Sequence, residues 1–200
     1  MARARAAGWE DQREQILAAA AQCFATRGYT ATTMNEVAAA CGVSKATLYH
    51  YVRDKHGLLA QITAGHVSRL EAQVQAVGAQ RLAPEAHLRA LIARFMHAYA
   101  GARHAHRVLT EDVKFLQPGP LQEVLAGQRR VVAAYADAVA ALRPELRGAA
   151  LHKPLAMLLF GMINWTFTWL RDDGALTHDS LAPLVAELFL GGLPAVAAPA

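Results

Sequence analysis

The sequence predicts an all-α protein with a small N-terminal helix-turn-helix head of three helices on a larger helical body. Apolar residues recur at i, i+3, i+4 and i+7 in most segments, and no stretch sustains two-residue alternation. The segment from Thr33 to Leu59 reads as two short helices hinged at Gly42, with another starting at once. The expected division is a head over residues 1–55, its residues 1–9 a flexible arm, and a body over residues 56–200. In all, about nine helices are expected.

In chain order, Asp11 and Glu14 suit a helix N-terminus, and Ile16, Ala19, Ala20, Cys23 and Phe24 then line one face as far as Arg27, where Gly28 stops the helix. Thr33 with Glu36 forms a capping-box pattern, and Met34, Val37 and Ala38 give a short apolar face before Cys41 and Gly42. Val43 packs inward, and Ser44 caps a helix over Lys45–Tyr51 whose Leu48 and Val52 face the core. Asp54 caps a longer helix from Lys55 to about Ala76.

The pattern breaks between Gly78 and Pro84. Leu88, Leu91, Ile92, Phe95, Met96 and Tyr99 then make the cleanest amphipathic stripe in the chain. A helix from about Arg103 to Leu116 ends at Gln117-Pro118-Gly119-Pro120, and another runs from Leu121 to Leu142. Gly148 to Leu170 is apolar nearly all round, Arg171 to Gly174 is a turn, and Thr177 caps a last helix with Leu181, Leu184, Val185, Leu188 and Phe189 on its apolar stripe.

Hydrophobic residues make up 54% of the 200 residues and charged ones only 18%, so an apolar surface must be hidden, and oligomerisation hides it most simply. The charge-free run from Leu155 to Leu170 is shorter than the roughly 20 residues of a membrane span, and no secretory leader is evident, so a cytoplasmic, nucleoid-associated protein is expected. Cys23 and Cys41 lack CxxC spacing and read as reduced thiols in helices, with a redox sensor as the alternative. A net charge of +4 permits nucleic acid as a partner without requiring it.

Placement carries the argument further than charge. A helix in the major groove presents a few side chains to base edges from its N-terminal face, and here these are Ser44, Lys45, Ala46, Thr47 and His50. Lys45 suits guanine O6 and N7, Thr47 a hydrogen bond or a thymine methyl, and Ala46 lets the backbone approach. Thr33, Tyr49 and Lys55 are expected to donate to phosphates around the groove.

On these residues the stretch from Ile16 to Leu59 resembles the N-terminal domain of TetR-type transcriptional regulators. Phe24, Gly28, Tyr29, Thr32 and Thr33 fall on one part of the signature, and Val37, Ala38, Gly42, Val43, Ser44, Thr47, Leu48, Tyr49, Tyr51, Lys55 and Leu58 on the other. Tyr51 stands where histidine is frequent and Val52 where phenylalanine is usual, which bears on the phosphate contact expected of Tyr51. The resemblance implies a homodimer on a palindromic double-stranded operator, acting as a repressor that a small hydrophobic molecule releases. It also implies a dimer interface on the helices near residues 150–170 and 178–191, which the apolar excess suits.

The effector is expected among Phe95, Met96, Tyr99, Phe115, Tyr135, Asn164, Trp165 and Thr168, where an amide in a charge-free run needs a partner. Gly161 to Leu193 is similar to the C-terminal end of a TetR branch that includes regulators of fatty-acid and sterol-derived acyl-CoA breakdown. That similarity implies an acyl-CoA effector, with Arg103, Arg107 or Arg129 as phosphate partners. The rival class is a helical metal sensor or metal-dependent hydrolase using His97, His104 and His106 beside Glu111 and Asp112. His104 and His106, two apart, point to different sides of a helix, which disfavours it. No P-loop, HExxH or Ser-His-Asp pattern occurs, so neither catalysis nor a cofactor is expected.

Overall fold

The structure, a computed structural model, describes residues 2–171 and 173–197, with side chains described from residue 8 onward. Among the described residues every regular element is helical. The chain forms two compact units, Met1–His66 with Ala102–Val124, and Val67–Gly101 with Leu125–Ala200.

The first unit contains α1 (Ala2–Arg27), α2 (Met34–Ala40), α3 (Lys45–Tyr51) and the first half of α4 (Lys55–Gly78). After α5 (Pro84–Gly101), which belongs to the second unit, the chain returns for α6 (Arg103–Glu111) and a 3-10 turn at Val113–Phe115. The core of this unit is Ile16, Phe24, Tyr29, Val37, Leu48, Leu58, Leu59 and Val108, all nearly solvent-free. A head ending at residue 55 therefore lacks α6, which packs along α1.

The second unit holds the rest of α4, α5, most of α7 (Pro118–Leu142), α8 (Glu145–Gly148), α9 (His152–Asn164), α10 (Thr166–Trp169) and α11 (His178–Gly192), and a closing 3-10 turn follows at Leu193–Ala195. The predicted stripe on α5 is buried in full, from Leu88 to Tyr99, and its principal partner is α11. At the rim of that pairing Arg89 bridges Glu85 and Glu187, and His97 Nδ1 lies 3.1 Å from Asp179 Oδ1.

Four boundaries differ from the periodicity. α1 begins at Ala2 rather than at Asp11, because the alanine- and arginine-rich start favours helix, so the segment expected as an arm is helical from Ala2 onward. α6 stops at Glu111 and tightens into the 3-10 turn. α7 begins at Pro118, inside the expected breaker, because proline is tolerated in a first helical turn, where its missing N–H has no partner to lose. The apolar stretch from Gly148 to Leu170 is no single helix. Ala150 takes a left-handed φ of 57°, and at Trp165 the hydroxyls of Thr166 and Thr168 bond back to the carbonyls of Ile163 and Trp165, competing with helix continuation.

Both glycines expected to stop helices adopt left-handed φ, 86° at Gly28 and 67° at Gly42. At Gly42 the turn is closed by Gly42 N–H to Ala39 O and Val43 N–H to Ala38 O, both 3.1 Å. A Cβ on Gly42 meets nothing within 4 Å, so only backbone strain opposes a side chain there. Gly42→Ala is expected to destabilise the protein by about 1–2 kcal/mol in urea titration. An unchanged midpoint would show that the turn relaxes freely.

Candidate nucleic-acid interface

The turn between α2 and α3 is built from two local caps. Thr33 N–H donates to Glu36 Oε2 at 2.8 Å, the Thr33 hydroxyl donates to the same oxygen at 2.9 Å, and Glu36 N–H donates back to that hydroxyl at 3.3 Å. The Thr33 amide, then its hydroxyl and the Arg27 guanidinium hold the Glu36 carboxyl below its usual range. The Thr33 hydroxyl, expected at a phosphate, is thus engaged in the cap. At α3, Ser44 Oγ accepts from Thr47 N–H at 3.0 Å and lies 2.8 Å from Thr47 Oγ1.

With Leu48 and Val52 buried beneath it, α3 turns Ser44, Lys45, Ala46, Tyr49 and His50 to solvent, with Thr47 half-buried. These side chains share one accessible surface of a seven-residue helix, and Lys45 and Tyr49 lie one turn apart. Tyr51, at the end of α3, is half-buried, and its ring stacks on Trp9 of α1 with centroids 5.3 Å apart.

Lys55 is placed differently from the phosphate role expected of it. Its ammonium donates to the carbonyls of Tyr29 at 3.0 Å, Thr30 at 3.2 Å and Thr32 at 3.0 Å, and lies 4.6 Å from the Tyr29 ring centroid. All three donors of the head group are used to tie down the loop between α1 and α2.

Tyr29 is the centre of that arrangement, and spacing alone does not reveal it. Its ring stacks on Phe115 at 5.2 Å and meets the edge of Phe24 at 5.1 Å, and its Oη lies 3.0 Å from His56 Nδ1. Burial, then the carboxylates of Asp54 and Asp112, push the Tyr29 phenol up. Burial likewise raises the thiols of Cys23 and Cys41, which are free cysteines.

The residues expected to line an effector site are only partly brought together. Phe95, Met96, Tyr99 and Tyr135 are buried in the second unit, with Phe95 edge-on to Tyr135 at 5.0 Å and Tyr135 against Phe160 at 4.6 Å. Tyr99 Oη donates to Asn164 Oδ1 at 2.7 Å, and Tyr135 Oη to Leu91 O at 3.0 Å. Phe115 belongs to the first unit and stacks on Tyr29 instead, because an aromatic at helical spacing does not specify which core it enters. Trp165 and Thr168 are solvent-exposed.

Those two share a face with Met157, Leu158, Gly161 and Trp169, and on α11 Leu184, Leu188 and Gly191 recur on an exposed face in the same way. Leu188 is 70% exposed, Leu158 65% and Trp165 60%, which marks these faces as apolar surface rather than core. Arg107 pairs with Glu111 at 2.9 Å, Arg103 is half-buried and Arg129 is exposed. The histidines do not converge: His97 pairs with Asp179, His104 is exposed, and His106 Nδ1 lies 3.3 Å from His66 Nε2. Among the described residues no group of three or more His, Cys, Asp or Glu side chains is placed to hold a metal ion.

Residues 16–62 match the family model for bacterial regulatory proteins of the tetR family, and residues 81–193, more than half of the chain, match the tetracyclin repressor-like C-terminal domain. The chain belongs to the TetR family. A TetR-family transcriptional regulator from Bordetella parapertussis 12822 shares 33% identity and a TM-score of 0.85, over 94% of this chain and 98% of that one. AibR, solved with isovaleryl coenzyme A and operator DNA, shares 25% identity and a TM-score of 0.75, over 88% and 97% of the two chains.

Among characterised TetR relatives, the transcriptional activator FasR of Mycolicibacterium smegmatis is 27% identical over 92% of this chain and 84% of its own length. The repressor KstR2 of Rhodococcus jostii is 26% identical over 93% of each. No helix among the described residues is long and apolar enough to cross a membrane.

Proposed function

We propose that this TetR-family regulator is a homodimeric repressor that binds a palindromic operator through α3 and is released by an acyl-CoA thioester. The observation that carries the DNA reading is the solvent-facing set Ser44, Lys45, Ala46, Tyr49 and His50, with the half-buried Thr47 beside it, on a capped α3 seated on Leu48. Lys45 and His50 serve base edges, while Tyr49 and Tyr51 serve phosphates; Thr33 and Lys55 hold the scaffold instead.

The exposed apolar faces of α9 to α10 and of α11 support the dimer, since contiguous leucine and tryptophan surface is costly to leave in water. Two heads then read half-sites about 34–36 Å apart, or a multiple of that, and an effector that alters their separation weakens binding. For the effector, AibR's bound isovaleryl coenzyme A is the guide. The acyl chain enters the aromatic core around Phe95, Met96 and Tyr135, and Tyr99 with Asn164 supplies the polar pair that meets the thioester.

The test is one titration. A palindromic duplex enriched from random sequence is expected to bind with steep salt dependence, losing roughly 10³-fold between 50 and 200 mM salt. Lys45→Ala is expected to weaken binding by about 1–3 kcal/mol without altering the dimer. Medium-chain acyl-CoA is expected to release the duplex, and free CoA to leave it bound. Salt-insensitive binding would sink the DNA reading, and release by divalent metal alone would sink the effector assignment.

A further inference from the structure

Trp9 lies outside every residue assigned above, yet its place on α1 sets it against the operator-reading helix. We propose that Trp9 is a positioning residue of the DNA surface, holding Tyr51 in the orientation from which its phenol donates to a phosphate. The inference rests on reading α3 as the helix that enters the groove.

The geometry is specific. Trp9 and Tyr51 stack with ring centroids 5.3 Å apart and planes 25° apart, an offset arrangement of the kind aromatic pairs prefer. Trp9 nonetheless stays 43% exposed, so the stack sits at the surface and not in the core. One helical turn later Arg13 donates to Gln61 Oε1 from Nε at 3.1 Å and from Nη2 at 2.8 Å, and pairs with Glu10 at 3.5 Å. Those bonds fix α1 against α4 next to the stack, so the indole meets Tyr51 from an anchored helix.

Tyr51 needs such support. It is the last residue of α3, and helix ends fray; Val52 beyond it is already in extended conformation. A phenol at a fraying terminus samples several rotamers, and each must be frozen out before a directional hydrogen bond to a phosphate forms. Stacking on a fixed indole removes that freedom before DNA arrives. The contact is then set in advance by a residue on a different helix from the one that reads the sequence.

The test uses the full-length protein and a fluorescein-labelled palindromic duplex enriched from random sequence with the wild type. Trp9→Ala is expected to weaken binding roughly three- to tenfold, the range a lost aromatic pair supports. Trp9→Phe, which keeps a stacking ring, is expected to remain within about twofold of the wild type. Tyr51→Phe removes the donor but keeps the ring, so Trp9→Ala in the Tyr51→Phe background is expected to add almost nothing.

Circular dichroism and thermal unfolding of each variant accompany the titrations. Unchanged binding by Trp9→Ala overturns the proposal. So do equal losses in both backgrounds, which would assign Trp9 to general packing of the head. If the wild type enriches no duplex, the DNA reading and this inference fall together; if it does and Trp9→Ala binds normally, only the role of Trp9 falls.

Discussion

Replacing Leu158 and Leu188 together by glutamate is expected to turn a dimer into a monomer and to lower operator affinity by on the order of 10²–10⁴, the gain that linking two half-site contacts provides. Both leucines sit on solvent-facing sides of their helices, 65% and 70% exposed, so the substitutions leave the core of the second unit untouched. Each buried leucine contributes roughly 1.5–3 kcal/mol to an interface, and a carboxylate in its place adds an uncompensated desolvation cost. Sedimentation velocity reads the assembly, and fluorescence anisotropy the affinity. A variant that stays dimeric would place the seam elsewhere.

Lys55→Met is expected to lower stability by about 2 kcal/mol, because it removes a charged donor shared among three carbonyls and leaves the loop between α1 and α2 untied. For a chain of this size that corresponds to a fall in Tm of roughly 4–8 °C. The same variant separates two roles. If Lys55 neutralised a phosphate, its loss would leave Tm unchanged and flatten the salt slope by about one unit. A scaffold role predicts the reverse: a lower Tm, and a salt slope that keeps its value in whatever fraction remains folded.

Lys55 also shows why some of the site was legible in the sequence and some was not. The caps at Thr33 and Ser44 and the turn at Gly42 involve partners within about four residues, so residue type and spacing carry them. The stripe from Leu88 to Tyr99 was legible for the same reason, since burial of one helical face imposes its own period. The carbonyls that hold Lys55 lie more than twenty positions earlier in the chain, and a basic residue at a helix start looks alike whether it faces a phosphate or a loop.

Phe115 and Trp165 show the complementary difficulty. Large apolar side chains at helical spacing mark a face to be covered, without saying by what. Phe115 is covered by Tyr29, within the first unit, while Trp165 lies uncovered on a surface that a second copy suits. The break at Trp165 was hidden for another reason. Thr166 and Thr168 are compatible with a helix by propensity, and their hydroxyl bonds to the Ile163 and Trp165 carbonyls, which weaken or bend a helix, do not show in spacing.

The chain has three tryptophans, and the exposed face of α9 to α10 carries two of them, Trp165 and Trp169, while the third is Trp9 in the stack with Tyr51. The indole spectrum is therefore divided between the proposed dimer face and the proposed DNA face. On that proposal, pairing of subunits is expected to dry Trp165 and Trp169 and to move their emission toward the blue, and engagement of a duplex to alter the environment of Trp9. Without any attached dye, the protein would then carry separate optical gauges of its assembly and of its occupancy.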